Sequence, residues 1–379
     1  MRVLINALGV DTGGAANHLN HFIPAIEKSS TQNLYWILCR EKFYNQQLAS
    51  KKIQFIKRST RSAQSFLSRL YLDNFSTIKL IKQNKIDILV SLTNFGPISA
   101  PIPHICFQRN SLYFSSWYQQ NAPLPQKIEN TLRSFLTKKI MQNSNLVVTP
   151  SKSMALMIQE TFPNLKANDF RTLYHGFNVK EESLPLKKEI LNRLDCSKFN
   201  ILYPTLPAFH KGVFLIFEMI RELKSLTSEP FKVLLTFSES EALNCYGPKP
   251  IPKDWHELSQ YVTFMGKLAQ ESMRSLYKTC QLMFYPSLCE SFGFSMVEAM
   301  GSELPIIAVD TPINREMCRD SALYFPSSNP HLAAQHIKTL MTSPPARLAL
   351  INHGKERISQ FDWSWTRYAQ EFESLLSLV

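Results

Sequence analysis

Residues 284–310 read "FYPSLCESFGFSMVEAMGSELPIIAVD". The run "LMFYPS" (282–287) is apolar and aromatic and closes on Pro286 and Ser287, the pattern of a short buried strand. The loop "LCESFGF" follows. "SMVEAMG" then begins a helix, and "LPIIAVD" is a second strand. Strand, helix and strand in this order form one βαβ unit, and a chain of such units folds around parallel sheets. Ser295 and Glu298 fit S-x-x-E, which predicts a capping box at the start of the helix. That pattern gives no reason for Glu290 or Gly293.

The same alternation extends in both directions. In the first half, "RVLINALG" reads as a strand, followed by a Gly-rich turn and a helix from about Ala15 to Lys28. "LYWILCR", "IDILVSL", "PHICFQ" and "NLVVTPS" are further strands. In the second half, "FNILYPT" precedes a helix over 211–226, and "FKVLLTF", "VTFMG", "LMFYPS" and "LPIIAVD" follow. Short apolar runs separated by helical stretches are buried parallel strands joined by crossovers. The polar segment 178–197 reads as the linker between halves. The expectation is an α/β protein of two doubly wound, Rossmann-like domains, 1–180 and 181–355. The segment 356–379, aromatic and apolar at helical spacing, is expected as a C-terminal helix packing back on the first domain. Ligands of such sheets sit beyond the carboxyl ends of the strands, here expected in a cleft between the domains.

Composition narrows the class. Of 379 residues 44% are hydrophobic and 19% charged, which suits a globular protein with a large core. Seven scattered cysteines contain no C-x-x-C pair, so neither a disulfide framework nor a zinc site is indicated, and a reducing cytoplasm is the expected setting. "MRVLINALGV" is too short an apolar run for a signal peptide. The charge-free run 88–108 is broken by three prolines and is no membrane span. Net charge is +12, but residues 1–180 hold 22 Lys/Arg against 8 Asp/Glu, and residues 181–379 hold 20 against 22. A basic first half points to an anionic partner. The densest run, "KKIQFIKRSTRSAQSFLSR" (51–69), interleaves six basic residues with Phe55, Ile56, Phe66 and Leu67. It is either a solvated basic face or a contact with anionic lipid at the inner face of the cell membrane.

Chemistry returns the reading to 284–310. A glycine at a helix start just beyond a strand is an anion site, because the first-turn amides and the helix dipole both favour negative charge. Two carboxylates beside it accept hydrogen bonds from hydroxyls. Anion plus polyol describes a sugar phosphate or nucleotide sugar.

The stretch resembles the E-x7-E region of glycosyltransferase family 4, whose members are retaining, metal-independent enzymes of GT-B fold. "VTFMGKLAQESMRSLYKTCQLMFYPS" before it, "TPINREMCRDSALYFP" after it, "NLVVTPSKSMA" and "LYHGFN" are similar to that family too, over most of residues 140–330. "GVDTGGAANHL" resembles it more loosely. The resemblance implies that Glu290 contacts donor-sugar hydroxyls near the reacting carbon and that Glu298 accepts from the ribose. It also implies that Phe292, Gly293, Phe294 and Ser295 hold sugar and phosphate. Lys211, in "FHKGVFLIFEMI", matches the lysine that neutralises the diphosphate, although a lysine there also suits a plain surface helix start. Gly13 and Gly14 would let backbone approach the phosphates or the acceptor. No metal or cofactor is implied, since the nucleotide-diphosphate sugar is a substrate. The acceptor would be a glycan or glycolipid of a bacterial-type surface polysaccharide or lipopolysaccharide.

Two positions depart from the family. Thr205 stands where many relatives carry an arginine, which leaves the diphosphate to Lys211 with help from His210 or from a residue of the other domain. "FQRNSLYF" puts Arg109 and Asn110 where many carry a histidine. Arg109 either meets a phosphate or lies at the surface, and His104 reads as a core histidine. The alternatives are a nucleotide-sugar 2-epimerase of the same fold, for which no flanking acid and base are visible, and a nucleic-acid-binding protein. The latter lacks any RNA-binding, zinc or helix-turn-helix signature, so no nucleic acid is expected. "GVDTGGAANH" does not match the dinucleotide fingerprint G-x-G-x-x-G.

Overall fold

The computed structural model describes residues 1–11, 13–44, 48–59, 66–165, 170–177, 185–186, 188–360 and 363–379. The chain divides into two compact units. The first comprises 1–119, 123–176 and 363–379, and the second 120–122 and 177–362.

The first unit carries a parallel sheet of β1 (Arg2–Asn6), β2 (Leu34–Arg40), β3 (Ile53–Arg58), β4 (Ile88–Ser91), β5 (His104–Phe107), β6 (Leu146–Thr149) and β7 (Phe170–Thr172). The spatial order is β3-β2-β1-β4-β5-β6-β7, with Val3 opposite both Tyr35 and Ile88. The central strands are buried on both faces, so they read as continuous apolar runs rather than alternating ones. On one face Val90 and Ile105 pack with helix Gly13–Glu27 and with Trp365, Tyr368, Phe372 and Leu376 of helix Trp365–Leu376. Leu89 and Cys106 point to the other face. There they meet Leu72 and Ile81 from the helical stretch 66–84, and Leu136, Ile140 and Met141 of helix Leu124–Gln142.

The second unit carries β8 (Phe199–Tyr203), β9 (Phe231–Leu235), β10 (Val262–Phe264), β11 (Leu282–Tyr285), β12 (Ile306–Val309) and β13 (Ala322–Phe325), in the order β10-β9-β8-β11-β12-β13 and again parallel. In each sheet the order reverses once, at β1/β4 and at β8/β11. Crossovers leave such a pair in opposite directions, and the crevice between them is where a doubly wound sheet binds ligand.

Three strands escape the apolar-run reading: β3, β7 and β13. All lie at sheet edges: β3 (IQFIKR) and β7 (FRT) mix polar with apolar residues because one side has no partner, and β13 (ALYF) is apolar but only four residues long. The outcome for 51–69 differs from a single basic face. Ile53–Arg58 is β3, hydrogen-bonded along β2. Lys52 donates to the carbonyl and hydroxyl of Ser29, both at 2.7 Å. Arg69 is buried on Asp73 at 2.7 Å. Residues 60–65 of this run lie outside the described residues, as do 178–184 and 187 of the expected linker. The two units part at Gly176/Phe177.

Candidate functional site

In the second unit both strands at the reversal end in Tyr-Pro: Tyr203-Pro204 on β8 and Tyr285-Pro286 on β11. Beyond β8 a 3-10 turn, Phe209–Lys211, runs into Gly212, whose φ of +67° is left-handed. A Cβ there would stand 2.3 Å from the Pro286 carbonyl oxygen, so only glycine lets the two loops close on each other. The Leu288 amide donates to the His210 carbonyl at 2.9 Å and joins them. The closure places Lys211 Nζ 2.5 Å from Glu290 Oε1, with the two side chains 17% and 12% exposed. The Tyr285 hydroxyl donates to the same oxygen at 2.6 Å, and the Tyr203 hydroxyl donates to the Lys211 carbonyl at 2.8 Å.

The electrostatics follow from burial and this one cation. Burial pushes the Glu290 carboxyl up, but the Lys211 ammonium and the hydrogen bonds outweigh it and hold the group below its ordinary value. Burial and then Glu290 push the Tyr285 phenol well up, so it stays protonated and donates. Burial and Lys211 lower His210 to about 3. His210 is therefore neutral at pH 7 and adds no charge to an anion beside Lys211.

Gly293 caps helix Phe294–Gly301 with φ +87° and no side-chain cap. The expected capping box is not formed. Ser295 Oγ reaches away from the helix to the Pro204 carbonyl at 3.2 Å, and Glu298 accepts from the Tyr277 hydroxyl at 2.8 Å. A Cβ on Gly293 would stand 2.3 Å from Met296 Cε, so glycine lets the loop close on this helix start, whose dipole favours a negative group. Phe292 is buried edge-on to Phe294, with 5.1 Å between ring centres, and fixes the loop leading into Gly293. Thr205 carries no charge, and its backbone is tied to Thr236 Oγ1 by two 2.9 Å bonds.

Lys211, His210, Glu290, Phe292, Gly293, Phe294, Ser295 and Glu298 thus gather around the β8/β11 ends. Gly13, Gly14 and Arg109 belong to the first unit. Gly13 opens the first helix, and Gly14 is exposed. Arg109 is not a surface residue. Its guanidinium is enclosed, with Nη2 bonded to His18 Nε2 at 3.0 Å and to the Tyr368 hydroxyl at 2.9 Å. Burial and then Arg109 drive the His18 imidazole well down, so it is neutral and accepts. Asn110 caps the turn Ser111–Phe114 through the Leu112 amide. His104 is a core residue between the Ser91 and Ser144 hydroxyls. The residues not anticipated are the tyrosines Tyr203, Tyr285 and Tyr277. Two were signalled by the Tyr-Pro repeated at two strand ends, since a phenol at a buried strand end needs a polar partner.

Residues 253–357 match the family model described as "Glycosyl transferases group 1". The chain is 29% identical over 123 residues to O-antigen chain mannosyltransferase RfbU of Salmonella typhimurium, covering 32% of this chain and 31% of that protein. It is 27% identical over 178 residues to human alpha-1,3/1,6-mannosyltransferase ALG2, covering 44% and 42%. The matched stretches thus span less than half the length of these relatives. Sucrose-phosphate synthase of Thermosynechococcus elongatus superposes with a TM-score of 0.73 at 16% identity, over 100% of this chain and 98% of that one. Anabaena Alr3699/HepE, solved in complex with UDP, gives 0.72 at 15% identity over both whole chains. The fold of the chain is GT-B.

Proposed function

We propose that the protein is a retaining glycosyltransferase that moves a hexose from a nucleotide-diphosphate sugar to a glycan or glycolipid acceptor. The observation that carries this reading is the meeting of Lys211, Glu290 and the Gly293-capped helix at the reversal point of the second sheet. A diphosphate offers Lys211 a denser anion than Glu290 does, and the helix end adds first-turn amides. Glu290, released from the ammonium, then accepts from the sugar hydroxyls, while Glu298 takes the ribose hydroxyls. As the bond between the anomeric carbon and the phosphate oxygen breaks, negative charge grows on the departing phosphate, and Lys211 stabilises it. The acceptor hydroxyl attacks from the same face and passes its proton to that phosphate. No metal enters this reading. The relatives named as mannosyltransferases make mannose the first donor sugar to try, and those named for O-antigen chains make a surface polysaccharide the class of product.

The test is sugar transfer by the purified protein, with donor consumption followed in the presence of lipid-linked glycan acceptors. Glu290→Ala should lower the rate about 100-fold or more, because it removes a group acting at the reacting sugar, while the melting curve still shows one folded protein. Activity within a few-fold of wild type would refute the assignment. Donor converted without any acceptor to its 2-epimer would favour the epimerase instead.

A further inference from the structure

Two helices of the first unit carry apolar side chains on their outward faces. On the stretch 66–76 these are Leu67, Tyr71 and Phe75. On helix Leu124–Gln142 they are Leu124, Ile128, Leu132 and Phe135. All seven are between 52 and 77% exposed. Their spacing of three or four residues puts each set in one stripe, and the second stripe extends about 16 Å along its helix. The inward faces of both helices are accounted for by the core, through Leu72 on one and Leu136, Ile140 and Met141 on the other. Both pack on the same face of the first sheet. The loop at Ile98 ties them together: its amide donates to Asn74 Oδ1 at 2.9 Å, and its carbonyl accepts from Asn143 Nδ2 at 3.0 Å. Ile98 is itself 38% exposed. Single exposed leucines need no explanation, but two bridged stripes of large side chains do.

Charge identifies the occupant. Residues 66–85 and 124–143 together hold eight Lys/Arg and two Asp/Glu. Both acids are used internally: Asp73 pairs with Arg69, and Glu129 with Arg133. Lys79, Lys82, Lys85 and Lys139 are exposed around the stripes, and Lys127 and Lys138 lie half-buried beside them. A second copy of the chain would press this lysine-rich face against itself, and lysine is depleted at protein interfaces. A bilayer with anionic headgroups takes both features at once, since the apolar residues enter the headgroup–acyl boundary and the lysine stems reach back to the phosphates.

We infer that the outward faces of helices 66–76 and 124–142 form a docking surface for an anionic lipid bilayer. This moves the membrane contact away from β3, where the basic run suggested it. The inference does not depend on the donor site. Vesicle binding without sugar transfer would leave it standing and sink the proposed function, and the converse result would do the opposite.

The experiment is co-sedimentation of the full chain with phosphatidylcholine vesicles, with and without phosphatidylglycerol. Wild type should pellet with the anionic vesicles only, and less so at high salt. Leu132→Asp/Phe135→Asp and Tyr71→Asp/Phe75→Asp should each reduce partitioning about tenfold or more, since two large side chains lose their burial in lipid. Lys79→Gln/Lys82→Gln/Lys138→Gln should weaken it and flatten the salt dependence. All these positions except the half-buried Lys138, whose ammonium lies over the Phe162 ring, are exposed, so melting should change little; should a variant melt early, Phe75→Ser and Phe135→Ser replace it. Wild type left in the supernatant, or apolar variants that pellet undiminished, would overturn the inference. So would a dimer in sedimentation velocity that the apolar substitutions dissolve.

Discussion

Glu290 is a carboxylate enclosed with one ammonium, and this fixes its response to pH and to mutation. Its native value lies below that of the unfolded chain, so the Lys211–Glu290 pair adds stability above the ordinary glutamate value of about 4.3. That contribution fades as pH falls through the lower native value. Lys211→Met removes the cation but keeps the burial. The Glu290 carboxyl should then titrate above the ordinary range, as followed by NMR, and the fold should lose about 1–3 kcal/mol in urea titration. A Glu290 titration unmoved by the substitution would mean that the pair does not persist in solution. At Gly212, alanine would have to hold a left-handed backbone against the Pro286 carbonyl. Gly212→Ala should cost about 1–3 kcal/mol and, through the misplaced Lys211, donor binding as well.

The start of helix Phe294–Gly301 is where sequence and structure part most instructively. Ser295 and Glu298 sit at capping-box spacing, but the cap is a left-handed glycine two residues before Ser295, so the helix starts two residues earlier than that pattern requires. The two side chains therefore serve other partners: Ser295 bonds the Pro204 carbonyl, and both it and Glu298 lie against the Tyr277 hydroxyl. A capping box would keep Ser295→Ala and Glu298→Gln coupled in a double-mutant cycle after Tyr277 is replaced by Phe. With Tyr277 as the shared partner, the coupling measured by denaturation in the Tyr277→Phe background should fall within about 0.5 kcal/mol. The buried parallel strands were legible because their residues are apolar without alternation. Edge strands β3 and β7 were not, because polar residues break their runs, and β13 was not, because its apolar run is only four residues long. Glu290 and Gly293 were legible as a loop and helix start just beyond a strand end, and Lys211 through the resemblance to the family. Their tyrosine partners, and the enclosure of Arg109, depend on contacts between segments far apart in sequence, which local pattern does not encode.

At the scale of the molecule, the C-terminal helix completes the core of the unit in which the chain begins. Phe372 meets Phe22 edge-on with 4.8 Å between ring centres. The Glu373 carboxylate accepts from the Ser29 and Tyr35 hydroxyls at 2.7 Å, and Tyr368 supports the Arg109 guanidinium. Tyr368→Phe leaves that enclosed cation one acceptor short and should cost about 1–3 kcal/mol, measured on the unfolding transition of the full chain. In the second unit the strand order reverses at β8/β11, where a doubly wound sheet binds its ligand. Isothermal titration of the wild type with GDP-mannose, UDP-glucose and dTDP-glucose, repeated with Lys211→Ala, tests this most directly. At least one of them should bind saturably, and about 10-fold or more weakly once the ammonium is removed. Equal affinity in the variant, or no heat from any nucleotide sugar, would contradict it.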